Sequence, residues 1–203
     1  VVLYLEASPD STLRMLRGIK NRFGSTDEVG LFEHADNGLL EINDPSGFFT
    51  NPHADDVSGY ATTIMVEGIR AIPIECASLV TPSPLPNPRK ISHGLDHARC
   101  LMVQAILEKH AGLKIGDKDV YISTAGGIVV KDSSIDLAIA AALISSFYDV
   151  PPAQNTVYLG EISLTGEVRA ARYNDRRKKE AERLGFKVYD HTKLNTIRDL
   201  VNM

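Results

Sequence analysis

Arg14, Arg17, Lys20 and Arg22 crowd the stretch before Gly24, and no Lys or Arg then occurs from Ser25 to Tyr60, a span rich in Asp and Glu. Cations segregated in this way suit phosphate oxygens, which Arg grips two at a time through its planar fork and Lys meets as a point charge. Within Lys20-Asn21-Arg22-Phe23-Gly24, the two cations are two residues apart and would project to one side of an extended segment. Phe23 would face the other way and anchor the strand end, and Gly24 would end it. A solvated strand end beside acidic loops is the competing reading.

Two further places have the residue types for chemistry. Ser134, in "VKDSSIDLA", opens an apolar helix, where free backbone N–H groups and a positive field favour an oxyanion. Ser133 or Ser134 acting as a helix cap, worth about 1 kcal/mol, explains the same position. The run from Arg169 to Arg183 holds seven Lys/Arg against three Asp/Glu. Arg172, Arg176, Lys179 and Arg183 recur at helical spacing and would form a stripe along a nucleic-acid backbone, each contact adding a salt-dependent, sequence-blind term. Arg89 and Lys90 would extend that track. A solvated helix with internal pairs such as Arg176–Glu180 is the alternative. Few aromatics interleave with these charges, so base stacking is not expected here. His93 and His97 share i, i+4 spacing but lack companion ligands, so no metal site is expected.

The elements that must position these residues follow from the hydrophobic pattern. Val1 to Leu5 reads as a buried strand ended by Ser8-Pro9-Asp10, and residues 12–19 fit a helix or a strand equally. "VGLFEH" and "LLEI" form a hairpin, with Asn37-Gly38 supplying positive φ angles. Residues 43–60 read as loop, and a domain boundary falls near Ser58, separating residues 1–58 from 59–203. "TTIMVE" and "RAIPIECASLV" pair as strands, and "TPSPLPNPRK" is an irregular connection. A helix beginning near Leu95 carries Leu95, Ala98, Leu101, Met102, Ala105 and Ile106 on one stripe and stops at Gly112. "DVYIS" is a strand, "DSSIDLAIAAALISSFYD" a helix, and "TVYLGEISLTGEVRA" a strand, turn and strand. A basic helix (about Asp175 to Leu184), the strand "FKVYD" and a helix over "TKLNTIRDLV" complete an α/β two-layer (α+β) arrangement.

Composition sets outer limits. The chain has 203 residues, is 43% hydrophobic and 24% charged, and has net charge −4. Such a chain can bury a core, and any nucleic-acid contact must be local. No apolar run suits a membrane span, and no signal peptide is visible. Cys76 and Cys100 lie in apolar surroundings and read as reduced core residues, in keeping with a cytoplasmic location. The opening "VVLYLEASPD" begins inside an apolar run without methionine, which suggests a piece of a longer protein.

"VVLYLE", "LRMLRGIKNRFGSTDEVGLFE", "GLLEINDPSGFF", "VEGIRAIPIECASLV", "NPRKISHGLDHARCLMVQAIL", "DVYISTAGGIVVKDSSIDLAIAAALISS" and "YLGEISLTGEVR" together closely resemble the bacterial RadA/Sms family of DNA repair proteins, over nearly the whole chain. The resemblance implies the last strands of a RecA-like ATPase core in residues 1–58 and a Lon-protease-like, ribosomal-protein-like domain in residues 59–203. It implies a parent that binds ATP or ADP with Mg, forms a hexameric ring, acts on single-stranded and branched DNA, and works beside a RecA-type recombinase. Lys20 through Gly24 would then couple nucleotide to DNA, reaching a neighbouring subunit's phosphates. No glycine-rich phosphate loop with Lys-Ser/Thr occurs in these residues, so the chain alone is expected to bind no nucleotide and to hydrolyse no ATP. Lon-type proteases pair a serine at a position like Ser134 with a lysine on a later helix. Here Arg176 falls at that lysine's place, and arginine cannot serve as a base near neutral pH. Lys179 is the substitute, and Asp136 stands where the protease pattern has a small glycine. A Ser134–Lys179 peptidase and an assembly scaffold that does not bind DNA remain the alternatives.

Overall fold

The computed structural model describes residues 1–7, 12–26, 28–42, 57–68, 70–125, 128–130 and 132–203. The turn expected at Ser8-Pro9-Asp10 and most of the loop expected after Ile42 lie outside the described residues. The fold is α/β with a mixed sheet and a few helices.

Residues before 42 build a four-stranded antiparallel sheet in chain order: β1 (Val2–Ala7), β2 (Leu13–Lys20), β3 (Val29–Ala35) and β4 (Gly38–Glu41). The segment that fitted helix or strand equally is β2, because β1 and β3 take up its backbone groups on both sides. Leu13, Val29 and Leu31 join the main hydrophobic cluster. β1 corrects an expectation. Its Val2, Leu3 and Leu5 are 48%, 61% and 46% exposed, since among the described strands only β2 pairs with it. The β3–β4 turn needs one positive φ angle, that of Gly38 (119°), rather than two.

The second sheet has six strands in the order β12 (Lys187–Asp190), β9 (Thr156–Leu159), β5 (Tyr60–Glu67), β6 (Arg70–Pro82), β8 (Lys118–Thr124) and β7 (Lys90–His93). The long hairpin β5 (Tyr60–Glu67) and β6 (Arg70–Pro82) forms its centre. Pro73 is tolerated in β6 because it pairs with Ile64 on one side and lies before the pairing with β8 (Lys118–Thr124) begins at Cys76. β7 (Lys90–His93), which the pattern did not show, lies parallel to β8. β9 (Thr156–Leu159) runs parallel to β5, and β12 (Lys187–Asp190) parallel to β9. β10 (Glu161–Ile162) and β11 (Val168–Arg169) form a separate small ribbon.

Helix α1 (His97–Ile106) continues through a π-helical turn, Leu107–Ala111, and stops at Gly112, whose φ of 74° reverses the chain. Its buried stripe is Cys100, Val103, Ile106 and Leu107; Ala98 and Ala105 are exposed and Leu101 is 39% exposed, so the expected stripe is rotated. Helix α2 (Asp136–Tyr148) follows a 3-10 turn, Ser133–Ile135, and is buried almost all round. α1 and α2 cover one face of the sheet in the main cluster. Helix α3 (Asn174–Arg183) covers the opposite face at the β5–β9–β12 end, where Ala181 packs with Ile64, Val157 and Leu159. The arrangement therefore gains a third layer at that end, beyond the expected two. The last helix, α4 (Ile197–Val201), is shorter than expected and is closed by a Thr196/Asp199 capping box.

Candidate nucleic-acid interface

At the start of α2, the serine centre is filled by ion pairs. Ser134 is 1% exposed. The cap is not a serine. Asp132 accepts the Ser134 N–H at 2.9 Å, while Ser133 Oγ donates to Glu161 Oε1 at 2.5 Å. Asp136, fully buried, accepts both Nε and Nη2 of Arg99 at 2.5 and 2.6 Å and the Ile162 N–H at 3.1 Å. Burial pushes its pKa above the ordinary value, and the Arg99 fork holds it back.

The arginine that reaches this centre is Arg177, not Arg176. Arg177 is fully buried and donates to the carbonyls of Arg172 (2.8 Å) and Ile64, and it pairs with Asp132. Burial lowers its pKa and Asp132 opposes that shift. Arg176 instead lies exposed, donating to the Gly68 carbonyl at 3.1 Å. Helical phase, with Arg177 and Ala181 facing the core, turns Arg177 inward and leaves the expected Arg176 outside. Lys179 is exposed and lies two residues beyond Arg177, about 200° around the helix. It points away from the serine, so the substitute base of the peptidase reading is on the wrong side.

The outward side of α3 and the residue pair before it carry the cations of the expected stripe. Arg172, Arg176, Lys179 and Arg183 are all exposed. Lys178 leaves this set by pairing with buried Asp190 at 2.6 Å. Burial would raise the Asp190 pKa, but Lys178, Thr192 and Asn174 together hold it below the ordinary carboxylate range. Where the alternative of a solvated helix has an Arg176–Glu180 pair, α3 instead has Arg183–Glu180 at 2.7 Å. Lys90 does not extend the track. Its ammonium donates to the carbonyls of Ile115 and Lys118 at 2.5 and 2.7 Å, and burial lowers its pKa. Arg89 is exposed, and its side chain is hydrogen-bonded to Tyr121.

The strand β2 ends at Lys20, so Arg22 lies in the following bend and strand alternation does not align the two cations. Asn21 closes that bend by accepting the Phe23 N–H at 3.0 Å and donating to the Ser25 carbonyl at 3.3 Å. Phe23 does not anchor the strand end among the described residues; it is 76% exposed, with Arg22 stacked 4.7 Å from its ring centre. Gly24 is exposed beside Asn21. Arg17, grouped with these cations by sequence, is engaged internally by Glu6 at 2.9 Å and by Glu67. Cys76 and Cys100 are free and buried, and burial pushes the Cys100 thiol up to about 11. Among the described residues, no three His, Cys, Asp or Glu side chains gather as a metal site, and no helix is long and apolar enough to cross a membrane.

Residues 98–189 match the family model described as subunit ChlI of Mg-chelatase. Over 186 residues the chain is 42% identical to the DNA repair protein RadA of Bacillus subtilis, which spans 92% of this chain and 41% of that protein. The chain is a RadA homologue. The RadA of Brucella abortus is 44% identical over 92% of the chain and 40% of its own length. That of Streptococcus pyogenes serotype M1 is 43% identical over 93% and 42%. The chain thus spans about two fifths of the length of the curated RadA relatives it matches.

Against this RadA background, sequence reasoning missed three residues: Arg177, Arg99 and Tyr173. Arg177 and Arg99 were hidden because nothing in a basic run or a polar helix start marks which cation is buried. Tyr173 precedes α3 with φ 56° and ψ 35°. Only the steric rule against bulky residues in the left-handed region makes it stand out, and that rule needs coordinates.

Proposed function

We propose that this chain is the DNA-contacting, non-proteolytic portion of a RadA-type repair ATPase. In this reading, residues 1–58 complete a RecA-like core and residues 59–203 form a Lon-protease-like domain. The observation that carries the DNA role is the outward row Arg172, Arg176 and Lys179, with Arg183 beyond it paired to Glu180, left exposed while Arg177 and Lys178 are taken up in internal pairs. It agrees with the relatives' printed name. The non-proteolytic part rests on Arg177 and Asp136, which put an arginine fork and a paired carboxylate where a peptidase needs a neutral base and room for substrate. The exposed apolar residues of β1 support a sheet that continues into a larger core.

The parent would bring ATP and Mg to a phosphate loop outside these residues, assemble as a hexamer and act in recombination with a RecA-type partner. Lys20 and Arg22 are exposed. They would meet phosphates of an adjoining subunit's nucleotide, with Arg22 leaving its stack on Phe23 to do so. The test is titration of the chain with duplex and single-stranded DNA at 50 and 200 mM salt (chosen as about a fourfold range). Binding that weakens steeply with salt supports the proposal, and absence of binding at low salt overturns the DNA role.

A further inference from the structure

Tyr173 has the left-handed backbone conformation, φ 56° and ψ 35°, that glycine enters freely and a bulky aromatic residue does not. Such strain persists only where the surroundings over-determine it, and it concentrates at ligand-binding positions. Here the surroundings do over-determine it. The Arg177 side chain holds the Arg172 carbonyl at 2.8 Å, and the Arg177 N–H holds the Tyr173 carbonyl at 3.2 Å. One buried arginine thus clamps the backbone on both sides of the strained residue.

The conformation does not bury the ring. It is 50% exposed, on the same outward side as the cations of α3. The Arg172 guanidinium stands 4.7 Å from the ring centre and donates to the phenol oxygen at 2.8 Å; that of Arg176 stands 5.7 Å away. Both arginines are exposed side chains. An aromatic face on a clamped backbone among exposed cations is an arrangement that takes an unpaired nucleobase, because every base has a π face to stack and its flanking phosphates take the guanidiniums.

We propose that Tyr173 is a stacking platform for one unpaired base of single-stranded DNA, with Arg172, Arg176 and Lys179 holding the phosphates on either side of that base. The proposal rests on the DNA-backbone reading above and adds a preference that backbone contacts cannot give. Duplex DNA presents the same phosphates but no free base, so stacking separates single strands from duplex. When a strand arrives, each guanidinium leaves the ring for a phosphate oxygen and the base takes its place. This reverses the expectation that stacking is absent from this surface.

The test compares the full chain with Tyr173→Phe and Tyr173→Gly, using a single-stranded DNA carrying 2-aminopurine and a duplex of the same sequence. The original chain and Tyr173→Phe should quench the 2-aminopurine on binding. Tyr173→Gly should lose quenching and roughly tenfold in single-strand affinity, with duplex affinity changed less than about twofold. Its melting temperature should not fall, since glycine relieves the backbone strain. Unchanged single-strand affinity in Tyr173→Gly, or equal losses for single strand and duplex, would overturn the stacking role. Neutralising Arg176 and Lys179 in parallel separates the two ideas. If that weakens both DNA forms while Tyr173→Gly changes nothing, stacking alone fails; if neither change weakens any binding, the backbone reading fails as well.

Discussion

Arg99 and Asp136 show what a buried charge requires. Asp136 has no exposure to water and accepts two hydrogen bonds from Arg99 and one from the Ile162 N–H. Replacing Arg99 by methionine leaves a buried carboxylate without its counterion, which costs about 3 kcal/mol at neutral pH. The sign of the pH dependence follows from the raised pKa of Asp136. Without Arg99 that pKa rises further, while the unfolded chain keeps the usual value near ~3.9. Between the two, the folded protein binds the extra proton, so Arg99→Met should regain stability as pH falls from neutral toward 5. Denaturant unfolding of both proteins at the two pH values measures this. A deficit that stays constant or grows on acidification would show that Asp136 is not the group left uncompensated.

At the scale of elements, the apolar patterns of β5, β6 and α2 were legible, because each buries a continuous run and tolerates few polar exceptions, whereas α3 was read from its charges and buries only Arg177 and Ala181. β7 was not legible. Its four residues follow a proline-rich connection, and they become a strand only because β8 offers a parallel edge. The phase of α1 was misjudged because Leu101 and Ala105 are as apolar as Cys100 and Val103, so tertiary packing chose between two acceptable stripes. Of the candidate interface, the row of cations on α3 was readable from spacing. The division between buried Arg177 and exposed Arg176 was not, since adjacent arginines differ only in helical phase. Asp132 joins two elements, capping the turn into α2 at Ser134 and pairing with Arg177 from α3. Asp132→Ala should therefore cost about 3 kcal/mol, well above an ordinary lost cap. Asp132→Asn, which keeps an acceptor for the Ser134 N–H, should cost less. Thermal or chemical unfolding of the two variants decides this, and equal small losses would show that Arg177 finds another partner.

For the whole molecule, net charge −4 means that attraction to DNA cannot come from the average surface. In the proposed reading it comes from one side of α3, with Lys90 and Arg17 removed from the count by their internal contacts. Two sheets share the work in this account. The six-stranded sheet positions α3, and the four-stranded sheet places Lys20 and Arg22 at the exposed end of β2. The central claim is that the cations of α3 meet a nucleic-acid backbone. The most direct measurement is the slope of log affinity against log salt for duplex DNA, in the original chain and in Arg176→Gln/Lys179→Gln. Each phosphate contact contributes about 0.9 to that slope, so the double change should make it shallower by roughly 2 and weaken binding at low salt. An identical slope and affinity in the two proteins would contradict the account.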